Sequence, residues 1–316
     1  MKGPAFLLAG IVLFSLLDAN NKLLSGSYPL GQAVVMRYAV LLALFAAARA
    51  VRRDAFGPVT TARPGLHLLR TAAMMVSVAG FFLGFRQLPL AEGYLVFFTA
   101  PFLTLAFSAL LLRERVPAAA WLWCAVGFAG VLVAVAPKLG GGGALVGYLA
   151  ILCGTLGFSV TQTVNRMLRD EPGIARILFW PSVAALVLYG PFALRDWVPA
   201  PPLVFAQLAA SGLLAGGAVV CTAAAFRSAD AARLGPWNYA ALPAAVVLDL
   251  LIWGAWPAPE TVAGGAVVVL ACVLSERARR RALARAYGIP TGKRWRPSGP
   301  SGRARTERTA ESGSGP

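Results

Sequence analysis

At 316 residues, 58% hydrophobic, 13% charged and with mean hydropathy +0.68, the chain is too poor in polar surface to be a water-soluble globule, since soluble domains average about 25% charged residues. Its net charge of +16 does not mark a nucleic-acid binder: eleven of the 29 Lys+Arg lie beyond residue 276, and most others fall in short breaks between apolar runs. That distribution reports membrane topology, so the composition excludes a soluble fold and predicts an all-α integral membrane protein.

A helix that crosses a bilayer needs about 20 mostly apolar residues. Such runs are predicted, in chain order, at 4–24, 30–49, 66–86, 90–112, 118–136, 144–166, 174–194, 203–226, 234–254 and 258–276. Turn chemistry or charge separates them: Tyr28-Pro29, Arg52-Arg53-Asp54, Pro89, Arg113-Glu114-Arg115, Gly140 to Gly143, Asp170-Glu171-Pro172, Pro199 to Pro202, then Pro257 and Pro259. The opening run resembles a signal peptide with Lys2 as a thin basic region. It is read as a first transmembrane helix instead, because the same segment recurs inside the chain.

The recurrence joins GIVLFSLLDANNK at 10–22 to GTLGFSVTQTVNR at 154–166. Gly10, Phe14, Ser15 and Asn21 return as Gly154, Phe158, Ser159 and Asn165, and Lys22 becomes Arg166, all at a shift of 144. Further on, Pro101 and Pro117 match Pro243 and Pro259, and Gly93 matches Gly235, at a shift of 142. Ten runs in two halves give five per half. Five is odd, so equivalent spans run in opposite directions, and the predicted architecture is ten transmembrane helices in two inverted five-helix repeats. The repeats are placed at 1–138 and 144–276, with a basic, disordered cytoplasmic tail at 277–316. The start of that tail, SERARRRALARAY, is also compatible with an extension of the last helix. With the N-terminus inside, the loops hold twelve Lys+Arg inside against four outside. Both ends are therefore expected in the cytoplasm of a cell whose inner membrane holds the protein.

Polar residues inside apolar spans are costly and mark cavities or helix contacts. The sixth run carries Thr155, Ser159, Gln162 and Arg166 on one face, and the first carries Ser15, Asp18 and Lys22 on the equivalent face. Ser159 and Gln162 either line a cavity or bond neighbouring helices. Asp18 and Arg37 fall at the same depth of the outer half, so an ion pair is expected between them, serving as gate, proton or substrate site or as a fixed structural tie. Glu92 opens the fourth span, where a helix dipole stabilises an acid or a ligand is met. Trp180 occupies the repeat position of Arg37 and either stacks on a planar substrate or packs in the core. Gly80–Gly84 and Gly212–Gly216 are small-residue pairs for close helix packing.

Cys124, Cys153, Cys221 and Cys272 all lie in apolar runs and behave as small hydrophobes. No disulfide, metal site or cofactor is expected. His67 is the only histidine, which leaves a histidine-based active site unsupported. Two inverted halves are the layout of a secondary transporter. A membrane-embedded enzyme acting on lipid, or a structural or regulatory subunit, are the alternatives.

The stretch 88–135 resembles the fourth and fifth helices of the EamA-type drug/metabolite transporter superfamily, through Ala91-Glu92, Pro101, Glu114 in the RERV turn, Gly127 and Gly130. In the second half Ala232, Leu234, Gly235, Pro236, Tyr239, Pro243, Gly254, Pro257 and Gly264 follow the same pattern. Asp18, Lys22, Tyr28-Pro29, Gln32 and Arg37 are similar to the branch of S-adenosylmethionine and riboflavin importers. One position departs: Ala255 stands where the family usually has Glu. The resemblance implies a central cavity, no catalytic residues, no prosthetic group and Asn238 and Tyr239 facing the cavity. Its expected partners are a small-molecule substrate, aromatic or nucleoside-like among the options, and the lipid bilayer, with no nucleic acid; homodimer formation is left open.

Overall fold

The computed structural model describes residues 2–51, 56–113, 116–138, 144–168, 170–171, 174–228 and 234–286. Arg52, Arg53, Asp54, Glu114, Arg115, Gly140 to Gly143, Arg169, Pro172, Ala232, Arg233 and residues 287–316 lie outside them. Among the described residues the regular structure is entirely helical. Among the described residues nine helical spans, Leu90–Leu111 counted as one, are long and apolar enough to cross a membrane, and a shorter apolar one covers Trp237–Trp253.

The helices are α1 (Lys2–Ser25), α2 (Leu30–Val51), α3 (Pro64–Phe85), α4 (Leu90–Phe97), α5 (Ala100–Leu111), α6 (Ala118–Val135), α7 (Ala144–Met167), α8 (Ala175–Arg195), α9 (Pro202–Ser228), α10 (Ala241–Trp253) and α11 (Pro259–Ala286). Large apolar side chains such as Val51, Leu110, Leu194 and Leu251 stay exposed around them, as a surface meant for lipid tails would.

Two predicted spans are not single α-helices. The run 90–112 divides into α4 and α5 at Phe98 and Thr99, and the run 234–254 opens with a 3-10 helix, Gly235–Ala240, before α10. The cause is proline. Pro101 has no N–H for the carbonyl of Phe97, and Pro243 none for that of Tyr239. The chain tightens instead, with Thr99 N–H donating to the Val96 carbonyl at 3.0 Å and Phe102 N–H to that of Thr99 at 3.0 Å. The two prolines are repeat partners, so both halves break at the same register. A third difference lies at the C-terminal end: α11 continues to Ala286, so the first ten residues of the expected tail extend the last helix.

α3 packs along α7, α1 along α9, α2 along α8 and α9, and α6 along α11. α4 meets α10, α5 meets α7, and α1 meets α10. Each of these pairs joins a helix from before residue 140 to one from after it, so the halves interleave. The α3–α7 contact is backbone-close: a Cβ on Gly80 would sit 2.5 Å from the Ala150 carbonyl oxygen and 2.6 Å from Gly154 Cα.

Candidate functional site

The two broken spans meet a set of aromatic rings. Phe97, the last residue of α4, lies 5.5 Å from Phe81 on α3, 5.1 Å from Phe158 on α7 and 6.0 Å from Tyr94 between ring centres. Phe98 at the break lies 5.9 Å from Tyr239, the next-to-last residue of the other span's 3-10 stretch. Phe81, Phe97, Phe158 and Tyr239 are only half-buried although they sit among packed helices. Rings grouped edge to face with surface to spare can take a further flat group between them.

A polar cluster adjoins the rings. Tyr94 Oη donates to Asp18 Oδ2 at 2.8 Å and lies 3.4 Å from Ser15 Oγ. Arg37 does not take the partner expected of it. Its Nη2 donates to Asn21 Oδ1, one turn beyond Asp18 on α1. The Asp18 and Arg37 charges attract one another without an ion-pair contact. Tyr94 from α4 takes Asp18, and Asn21 from α1 takes Arg37. Arg37 is buried and its Nε has no partner.

Beyond the cluster, one end of the bundle is tied by Asp249 of α10, 2% exposed. Its Oδ1 accepts from Lys22 Nζ at 3.1 Å and from Leu90 N–H at 3.1 Å, and its Oδ2 accepts from Ala91 N–H at 2.8 Å. The carboxylate thus caps α4, which favours negative charge at its first turn. Lys22 Nζ also stands 4.1 Å over the Trp253 ring. α10 ends at Gly254 in the left-handed conformation, φ +63°, which sends the chain away just past Trp253. At the same end Gln32 exchanges two hydrogen bonds with the Val198 backbone, at 2.8 and 3.0 Å.

At the opposite end Arg166 Nη1 donates to Ser108 Oγ at 2.7 Å. Glu171 gathers the loop there: it accepts from Thr61 Oγ1 at 2.7 Å and from Ala62 N–H at 3.1 Å, bonds His67 Nε2 at 3.2 Å, and lies 3.5 Å from Arg176 Nε. The Thr61 hydroxyl leads these contacts in holding the Glu171 carboxyl below the usual carboxylate range.

The remaining predicted residues divide. Ser159 is buried and donates to the Ala100 carbonyl at 3.3 Å and the Thr155 carbonyl at 2.8 Å, so it braces the broken span. Gln162 is exposed and accepts from Asn165. Glu92 accepts from Tyr148 Oη of α7, and Asn238 is exposed. Trp180 stands apart from the rings: its Nε1 donates to the Val59 carbonyl at 3.0 Å in the α2–α3 connection. Tyr94, Phe97, Asn21 and Asp249 escaped the sequence reading as site residues. The Asn21/Asn165 repeat and the prolines beside Phe97 and Tyr239 were the available signals. An apolar groove of about 460 Å³ on α3, α7 and α8, lined by Met75, Leu83 and Tyr189 among others, is separate from this chemistry.

Residues 145–276 match the EamA-like transporter family. Over 279 residues, 87% of this chain and 90% of the relative, the chain is 27% identical to a riboflavin transporter of Rhizobium johnstonii. It is 24% identical to a pseudopaline exporter of Pseudomonas aeruginosa, covering 84% of this chain and 93% of that one. It is 22% identical to an S-adenosylmethionine uptake transporter of Rickettsia prowazekii, covering 66% and 70% respectively. A crystal structure with TM-score 0.63 and 21% identity covers 89% of this chain and 98% of its own, a likeness of fold.

Proposed function

We propose that this chain, which carries an EamA-like transporter domain over residues 145–276, is a secondary transporter moving a small organic metabolite across the cytoplasmic membrane by alternating access. Ten transmembrane helices form two inverted repeats, 1–138 and 144–276, whose matched helix pairings and matched proline breaks support that arrangement. The loop charges favour cytoplasmic termini, which puts the Lys22–Asp249 end outside and the Arg166–Glu171 end inside. The relatives named as transporters weigh against a membrane-embedded enzyme and against a purely structural subunit.

The observation that carries the reading is the group of half-buried rings at the junction of two broken spans, between the two halves. Broken helices at that depth are where such transporters bind. The rings suit a planar aromatic or heteroaromatic substrate, with Phe97 and Tyr239 as stacking partners. Arg37 keeps one donor for a substrate acceptor, and Asp18 with Tyr94 offers a proton-bearing pair for coupling or for a substrate cation. Ser159 shapes the site without touching substrate.

The test is a melting screen of purified protein in detergent against riboflavin, S-adenosylmethionine, nucleosides and amino acids, followed by uptake into proteoliposomes. Ligands that bind the folded state raise the melting temperature by mass action. Flat heteroaromatic compounds are expected to raise it, and Phe97→Leu to abolish the rise. A response confined to aliphatic compounds, or one untouched by Phe97→Leu, would remove the aromatic site.

A further inference from the structure

We infer that Lys22 and Asp249 are gating residues that close the outer side of the transport path directly over the site. This rests on the transporter reading above. Lys22 is four residues from Asp18 on α1, and Leu90 is four residues from Tyr94 on α4. Four residues put side chains on the same helix face, about 6 Å further along the axis. The Asp18–Tyr94 hydrogen bond and the Asp249 tie therefore join the same two helices at successive turns, with Asp249 reaching in from α10. A solute approaching the rings from that end must part α1 from α4.

At the outermost turn Asp249 resists this, because one carboxylate holds three groups: the Lys22 ammonium on α1 and the Leu90 and Ala91 N–H groups of α4. The carboxylate is buried, 2% exposed, and the Lys22 side chain is partly covered, 17% exposed. Withdrawing the carboxylate leaves an ammonium and two helix-end donors unpaired at once, so the closed arrangement is lost as a unit. Trp253, one turn after Asp249, packs its ring beneath the ammonium and fixes its position.

The repeat shows the specialisation. The counterpart of Lys22 is Arg166, which donates to Ser108 at 2.7 Å; in the 142-residue register of the paired prolines Asp249 falls opposite Phe107. The basic residue is kept at both ends, while the carboxylate that grips a helix terminus has no acidic counterpart in that register.

The experiment uses full-length protein in which Cys124, Cys153, Cys221 and Cys272 are replaced and Ser15, 1% exposed beside Tyr94, is changed to Cys as a reporter. A membrane-impermeant maleimide is applied to one side of oriented proteoliposomes. Lys22→Gln and Asp249→Asn are each expected to raise the outer-side labelling rate about tenfold, the response to a shift of a two-state equilibrium. The pair changed together should label no faster than the faster single variant. Arg166→Gln should leave outer labelling unchanged. If Asp249→Asn does not accumulate, Lys22→Gln decides. Unchanged labelling, or an equal rise from both sides, overturns the gate. The readout needs no substrate, so a gate without measurable transport would refute the transporter reading and leave the gate standing.

Discussion

The two ends of the bundle close by different chemistry. At the end carrying Asp249 the closing acid lies inside the helices, 2% exposed, and binds an ammonium and a helix terminus. At the other end the acid is Glu171, in the connection between α7 and α8, and its partners Thr61, Ala62, His67 and Arg176 come from loops and helix ends. An acid in a dry site responds in one step, because a buried charge with no partner is too costly to persist. An acid with several partners on separate loops and helix ends responds by degrees, since losing one leaves the others in place. A transporter with one end of each kind has a firm closure on one side and a yielding one on the other. Its resting bias should then be set by the firm side.

The largest effect that can break this contrast is on stability. Asp249→Leu strands Lys22 and two backbone donors, a loss of about 3–5 kcal/mol for a buried pair deprived of one member. Thermal melting in detergent should show a large drop, partly recovered by adding Lys22→Leu. Equal damage from Arg166→Leu would mean the ends do not differ. Next comes transport. Asp18→Asn keeps an oxygen for Tyr94 Oη but removes the charge, so the fold should melt near the parent. Uptake should fall about tenfold or more, in line with the loss of a group that handles a proton. Uptake at the parental rate would assign Asp18 to structure alone.

Glu171 gives the loop end a pH dependence. Its carboxyl titrates lower in the folded protein than in the unfolded chain. It therefore adds stability above the unfolded value, about 4.3, and that contribution is lost as pH falls through the lower folded value. Melting should decline between pH 6 and roughly pH 3, and Glu171→Gln should flatten that decline. An identical slope in the variant would remove Glu171 as the loop's organiser.

The architecture was legible where periodicity and length carry the information. The apolar runs foretold helices, nine of them long enough to span among the described residues, and Pro101 and Pro243 marked where two of the runs break. Sequence reading missed what a third element decides. Asp18 and Arg37 were expected at one depth, but nothing in α1 or α2 announces that Tyr94 from α4 will claim the acid. Asp249, some 160 residues from Leu90 and Ala91, meets two backbone N–H groups that have no sequence signature. Trp180 matches Arg37 in the repeat register, and its Nε1 donates to the Val59 carbonyl of a loop, a contact that the register does not foretell.

The smallest effect is the most discriminating. Arg166→Gln replaces a guanidinium by a neutral amide long enough to reach Ser108 Oγ, so the bond to Ser108 is weakened by about 1 kcal/mol. If the loop end yields by degrees, this change should barely move the melting temperature, while adding Glu171→Gln should produce a loss equal to the sum of the two. Additivity is the mark of sites that act independently. At the other end Lys22→Gln with Asp249→Asn should fall well short of the sum, because either change alone already dissolves the three-way tie. Double-mutant cycles at both ends measure this directly. A large coupling between Arg166 and Glu171, matching that between Lys22 and Asp249, would show that the inner closure is also a single unit, and the contrast between a firm and a yielding end would have to be given up.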